Sequence, residues 1–167
     1  MFNAYFNIQM NNLKIAEEQL AIAKVEKDYK VSGYQQLTEC LKQCEKHLDD
    51  ARAKKQKCAE EYTRMIELYE SMQTTQIADP DVVSKSSMKL LYEKRMDIYM
   101  VFVESSQNVT RSEKIFYDCQ KMNIDALDQY KKASKRVSEC EIEVCAAKQN
   151  FNEICGQIIM SNFVNTI

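Results

Sequence analysis

The sequence predicts an all-α fold in which two long helices close into an antiparallel coiled-coil hairpin. Three observations predict it: glycine and proline are nearly absent, two long apolar series keep a seven-residue spacing, and one turn-like segment separates them. The 167 residues include 2 glycines and 1 proline, too few to build the tight turns of a sheet protein. The whole chain, 1–167, reads as a single helical hairpin, with helix 1 at about 4–75, a turn at about 76–83 and helix 2 at about 84–162.

Helix 1 rests on a stripe whose a positions are Leu13, Leu20, Lys27, Tyr34, Leu41, Leu48, Lys55, Tyr62 and Tyr69. Its d positions are Ala16, Ala23, Lys30, Leu37, Cys44, Ala51, Cys58, Met65 and Met72, so only the three lysines break the apolar seam. Lys27 and Lys30 precede Gly33, and together they predict a loosening around 27–33; the alternative is that the lysine stems pass over the seam with their ammonium groups in water.

Next comes Thr74-Thr75-Gln76-Ile77-Ala78-Asp79-Pro80-Asp81, the turn-like segment. Asp79 before Pro80 is a good helix start, a carboxylate cap followed by proline at the first helical position; Ser84, with Ser86 and Ser87 behind it, is the alternative cap. Helix 2 carries Phe102, Val109, Phe116, Asn123, Tyr130, Val137, Val144, Phe151 and Ile158 at a, and Leu91, Ile98, Ser105, Ser112, Cys119, Ala126, Ala133, Cys140, Ala147 and Ile154 at d. The short turn sets the register. It pairs Leu13 with Ala147, Leu20 with Cys140, Ala23 with Val137, Tyr34 with Ala126, Leu41 with Cys119, Ala51 with Val109 and Tyr62 with Ile98. Large side chains repeatedly face small ones, and Asn123 opposite Leu37 reads as a register device.

Two apolar excesses lie beyond the seams. The register brings both chain ends to one pole, where Phe2, Tyr5, Phe6 and Ile8 meet Ile154, Ile158, Ile159 and Phe163; these eight are the candidate partner-binding residues. The alternative is that the two ends only close on each other. Ile15, Ile22, Val25, Tyr29, Val31, Ile66 and Leu68 in helix 1, and Tyr92, Met96, Tyr99, Met100, Val103, Ile115 and Tyr117 in helix 2, sit beside the seams and suit a wider bundle, such as a homodimer of hairpins.

Composition narrows the partners. Lys and Arg number 23 against 25 Asp and Glu, and neither half is basic, so no nucleic acid and no anionic membrane surface is expected. The longest uninterrupted apolar run, Ile98 to Val103, is far too short to span a bilayer, so no integral membrane segment is expected. A start without a basic region argues against a signal peptide, and the 7 cysteines, an odd number with no Cys-x-x-Cys pair, read as small buried hydrophobes in a reducing cytoplasm. Neither a metal site nor another cofactor is expected.

Nor does the pattern suggest catalysis. Two paired helices offer no cleft, and no glycine-rich phosphate loop occurs. His47, the single histidine, sits on a flank between Lys46 and Leu48 as a solvated side chain, and pairs such as Glu17/Glu18 and Asp49/Asp50 point in different directions. No catalytic residue is assigned, and the expectation is a non-enzymatic protein.

The opening Leu13-Lys14-Ile15-Ala16-Glu17-Glu18-Gln19-Leu20-Ala21-Ile22-Ala23 and the returning Tyr130-Lys131-Lys132-Ala133-Ser134-Lys135-Arg136-Val137 carry a further likeness. With the chain length and the near-central turn, they resemble the stalk proteins of flagellar and type III secretion export ATPases, the FliJ/YscO type. The resemblance implies a cytoplasmic coiled coil whose joined termini enter a hexameric export ATPase, with export-gate or chaperone proteins as further partners. It transfers no individual functional residue, and the apolar Phe163-Val164-Asn165-Thr166-Ile167 and the many cysteines depart from the family pattern. Two other classes compete with it: a self-associating structural scaffold, and a secreted helical effector or translocator component.

Overall fold

Continuous helix-forming sequence with so few breakers leaves the backbone one way to satisfy its hydrogen bonds, and both arms take it. The computed structural model describes the backbone of residues 2–164 and the side chains of residues 4–160. Helix α1 spans Phe2–Ala78 and helix α2 spans Lys85–Val164; they pack against each other as an all-α helical hairpin, with no strand among the described residues. Every position of both predicted seams is buried or half-buried. Both helices contribute to two compact units, Met1–Thr38 with Met122–Ile167, and Glu39–Lys121.

In the first unit the core is narrow and built from small residues. Ala23, 1% exposed, packs with Val137 and Cys140, and Leu20 lies against them, the partners the turn-set register predicts. Ala16, Ala133, Val144 and Ile154 are also buried. Positions rising along α1 meet positions falling along α2: Glu17 pairs with Lys148 at 3.3 Å, Lys24 with Glu141 at 3.8 Å and Glu26 with Arg136 at 2.9 Å. These pairs are half-exposed, so each orients the helices more than it stabilises them. Asn123 donates to Thr38 Oγ1 at 3.0 Å, and Thr38 in turn donates to the Tyr34 carbonyl at 2.8 Å, so the polar seam position is satisfied across the interface.

The expected loosening near Gly33 does not interrupt α1, which runs through it without a positive φ. Lys30 is half-buried, and its ammonium donates to Gln129 Oε1 at 2.9 Å, the snorkelling geometry. A groove of about 370 Å³, lined in part by Tyr29, Gly33, Tyr34 and Ala126, opens beside it. A Cβ at Gly33 would meet nothing within 4 Å. Gly33→Ala therefore removes a helix-interior glycine at no steric cost. It is expected to stabilise the fold by about 1 kcal/mol, read as a rise in the urea midpoint. A fall in that midpoint would mean that the glycine serves the helix here.

In the second unit Leu48, Val109 and Ser105 are buried, and Ser105 donates to the Phe102 carbonyl at 2.7 Å, which removes the cost of a hydroxyl in the seam. Arg52 reaches Glu113 at 3.1 Å. Toward the turn the layers become aromatic: Tyr62 lies 5.3 Å from Tyr99 and 6.0 Å from Phe102 between ring centroids, and Tyr69 lies 6.2 Å from Tyr92. The Arg95 guanidinium sits 4.4 Å from the Tyr69 ring and 5.0 Å from the Tyr92 ring, a cation–π clamp over that layer.

The turn itself corrects two expectations. Helix α1 does not end near 75 but continues to Ala78; within it the Thr74 and Thr75 hydroxyls bond back to the carbonyls of Glu70 at 2.9 Å and Ser71 at 3.0 Å. Asp79-Pro80 does not start α2. The Val82 N–H donates to the Asp79 carbonyl at 3.2 Å and the Asp81 N–H to Asp79 Oδ1 at 3.3 Å, which makes the dipeptide the first half of a β-turn. Ser84 is the cap: its Oγ accepts from the Ser87 N–H at 3.1 Å, and its carbonyl accepts from Met88. Buried Val83 and Met88 close the turn from below, and Gln76 Nε2 donates to the Val83 carbonyl at 3.3 Å.

Candidate functional site

The predicted pole divides into an inward and an outward set. Phe6 is half-buried, with its ring 5.3 Å from that of Phe151; Ile154 is 5% exposed and Ile158 half-buried. These side chains join the two helices to each other. Tyr5, Ile8 and Ile159 face outward, each more than half exposed, and Met10 and Met160 accompany them. The side chains of Phe2 and Phe163 lie outside the described residues.

The flanking residues form a pattern that the seams alone do not reveal. Ile8, Ile15, Ile22 and Tyr29 recur at strict heptad spacing on the side of α1 turned away from its seam, and they are 53%, 45%, 61% and 75% exposed. Val25 stands beside them, also exposed. A run of large apolar side chains at this spacing, left in water over three heptads, has the period at which another helix can pack. In the second unit Tyr92 and Tyr99 are less free, because their rings lean onto Tyr69 and Tyr62 and so widen the interface between the helices.

A third feature is polar. Cys44 and Cys119 are seam residues and Cys40 precedes Cys44 by one helical turn on a flank of α1; the fold brings their three sulfur atoms within 4.8 Å of one another. Cys44 Sγ is 3.3 Å from Cys119 Sγ, and Cys40 Sγ is 3.9 Å from it. All are free thiols, with Cys40 exposed and the other two half-buried. The hydrogen bond with Cys44, and then burial, hold the Cys119 thiol above its ordinary pKa. The sequence register already puts Cys44 and Cys119 in neighbouring seam layers and marks Cys40 and Cys44 as a close pair; without a Cys-x-x-Cys, the convergence of all three was not expected. The Cys-x-x-x-Cys spacing was the available signal, since it puts two sulfurs on one helix face. His47 is exposed and is not among the converging donors.

Among the described residues no helix is long and apolar enough to cross a membrane. Neither a family model, nor a curated protein, nor a solved structure matches this chain.

Proposed function

We propose that the chain is a non-enzymatic interaction protein, built as an antiparallel coiled coil, whose uncovered apolar stripe packs against a helix of a protein partner. The observation that carries this reading is the exposed heptad series Ile8, Ile15, Ile22 and Tyr29. A stripe with that period is complementary to another like it, and two hairpins joined through it make a four-helix bundle, so a second copy of the chain is the favoured partner.

Sedimentation velocity tests this directly. The wild-type chain is expected to sediment as a dimer at micromolar concentration, and Ile22→Glu with Tyr29→Glu as a monomer with unchanged helical circular dichroism. A wild-type chain that stays monomeric as concentration rises overturns the self-associating form.

The outward residues of the pole, Tyr5, Ile159 and Met160, favour a second reading. In it the chain is the cytoplasmic stalk of a type III secretion export ATPase, and its apolar pole enters the hexameric ring, as the resemblance of the two helices to that family implies. Here a monomeric chain would be retained by the ATPase hexamer, and Tyr5→Glu with Ile159→Glu would abolish that retention.

A further inference from the structure

We propose that Cys40, Cys44 and Cys119 form a binding site for a thiophilic cation of the zinc(II) or copper(I) type, which clamps α1 to α2 within the second unit. Three arguments lead there. The first is geometric. Sulfurs bound to one zinc ion at about 2.3 Å stand about 3.8 Å apart in a tetrahedral site and about 4.0 Å apart in a trigonal one. The separations of 3.3 and 3.9 Å, with all three atoms inside 4.8 Å, need only small side-chain rotations to reach those values.

The second argument is the identity of the donors. Three thiols without a carboxylate among them select soft and borderline cations and discriminate against magnesium and calcium. Binding transfers the three thiol protons to solvent and leaves three thiolates on the ion; the exposed side, at Cys40, leaves a further position for water or an incoming ligand.

The third is the placement of Cys40. Cys44 and Cys119 occupy seam positions, where a thiol serves as a small hydrophobe, but Cys40 lies outside the seam and is exposed. Packing does not require a cysteine there, yet its sulfur is turned to within 3.9 Å of Cys119 on the other helix. Among the described residues no other three Cys, His, Asp or Glu side chains converge in this way.

The test is anaerobic titration of the full chain, kept reduced with a phosphine, in two arms. Zinc(II) is followed by competition with a chromophoric chelator, and cobalt(II) is used in parallel for its sulfur-to-metal charge-transfer absorption. Copper(I) is supplied as its acetonitrile complex against a copper(I) chelator. The expected result is one equivalent of zinc or of copper(I) bound per chain, and the better-held ion identifies the cargo.

Cys40→Ser and Cys119→Ser should each weaken that binding by more than about 100-fold, since even groups behind the ligands cost 10–100-fold. Cys145→Ser and Cys58→Ser should leave it unchanged. Cys40 is exposed, so its variant keeps the fold, and its far-ultraviolet circular dichroism serves as the check. Absence of stoichiometric binding of both ions overturns the proposal. So does binding that survives Cys40→Ser and Cys119→Ser, or that falls equally in Cys145→Ser.

Discussion

Oxidation of the metal-free, reduced chain by glutathione disulfide is expected to join Cys44 to Cys119 and to raise the urea midpoint sharply. Two thiols give up two electrons and two protons to form the bond, and glutathione disulfide leaves as two thiols. The sulfurs already stand 3.3 Å apart on different helices, so the bond needs little rearrangement. It would close a loop that includes most of the second unit, and a loop of that length corresponds to about 4 kcal/mol in the chain-entropy account.

A bond between Cys40 and Cys44, neighbours on one helix, would close only a short loop and constrain the hairpin hardly at all. Peptide mapping separates the two products. The reaction should quicken as pH rises: the Cys119 thiol is held above its ordinary pKa by Cys44, so little of it is thiolate at neutral pH, and more forms as pH climbs. Failure of the Cys44–Cys119 bond to form would contradict the pairing of α1 with α2 at this layer, and a mapped bond with an unchanged urea midpoint would mean that its strain cancels the entropic gain.

The second large effect concerns two alanines separated by a single residue. Ala23→Asp should destabilise the fold by about 3 kcal/mol or more, whereas Ala21→Asp should cost no more than about 1 kcal/mol. Both exchanges lower helix propensity equally, and each new carboxylate has a lysine within about one turn, Lys27 for position 23 and Lys24 for position 21. They differ in burial. Ala23 is 1% exposed against Val137 and Cys140, while Ala21 faces water. Urea unfolding of the two reduced variants at one protein concentration measures the difference, and equal midpoints would refute the seam assignment on α1.

The seams were legible in the sequence because burial on a long helix is periodic, and a seven-residue period survives isolated lysines. Lys30 shows why such interruptions are harmless: its stem lies in the seam while its ammonium reaches Gln129. The end of α1 was less legible. Thr74 and Thr75 look like loop residues, but they lie inside the helix, where their hydroxyls are satisfied by the carbonyls of the preceding turn. Asp79-Pro80 suits both a helix start and a β-turn, since proline's fixed φ fits the first helical residue and the second residue of the turn alike. Buried Val83 under the turn decides between them, and burial of a loop residue has no periodic signature.

The candidate sites divide along the same line. Apolar side chains at the pole could be found from composition and register, and the heptads already assign Ile154 and Ile158 to the seam. The structure buries Ile154, half-buries Phe6 and leaves Tyr5, Ile8 and Ile159 outside. The stripe through Ile8, Ile15, Ile22 and Tyr29 had a visible period, masked by the stronger seam on the other side of the helix. The register already brought Cys44 and Cys119 to neighbouring layers; the part of the trio that heptads could not show is Cys40, which lies outside the seam and still reaches Cys119.

The six-residue turn also determines in what order the hairpin can assemble. Gln76 and Val83, which meet at the turn, are 7 residues apart, whereas Glu26 and Arg136 are 110 apart. Closing a long loop costs chain entropy before any contact repays it, so a first encounter between distant arms is disfavoured. Once the layers next to the turn are formed, each further layer closes only a short additional stretch. Folding therefore travels as a zipper from the turn outward, so that within the second unit the Tyr69–Tyr92 layer forms before the Cys44–Cys119 layer.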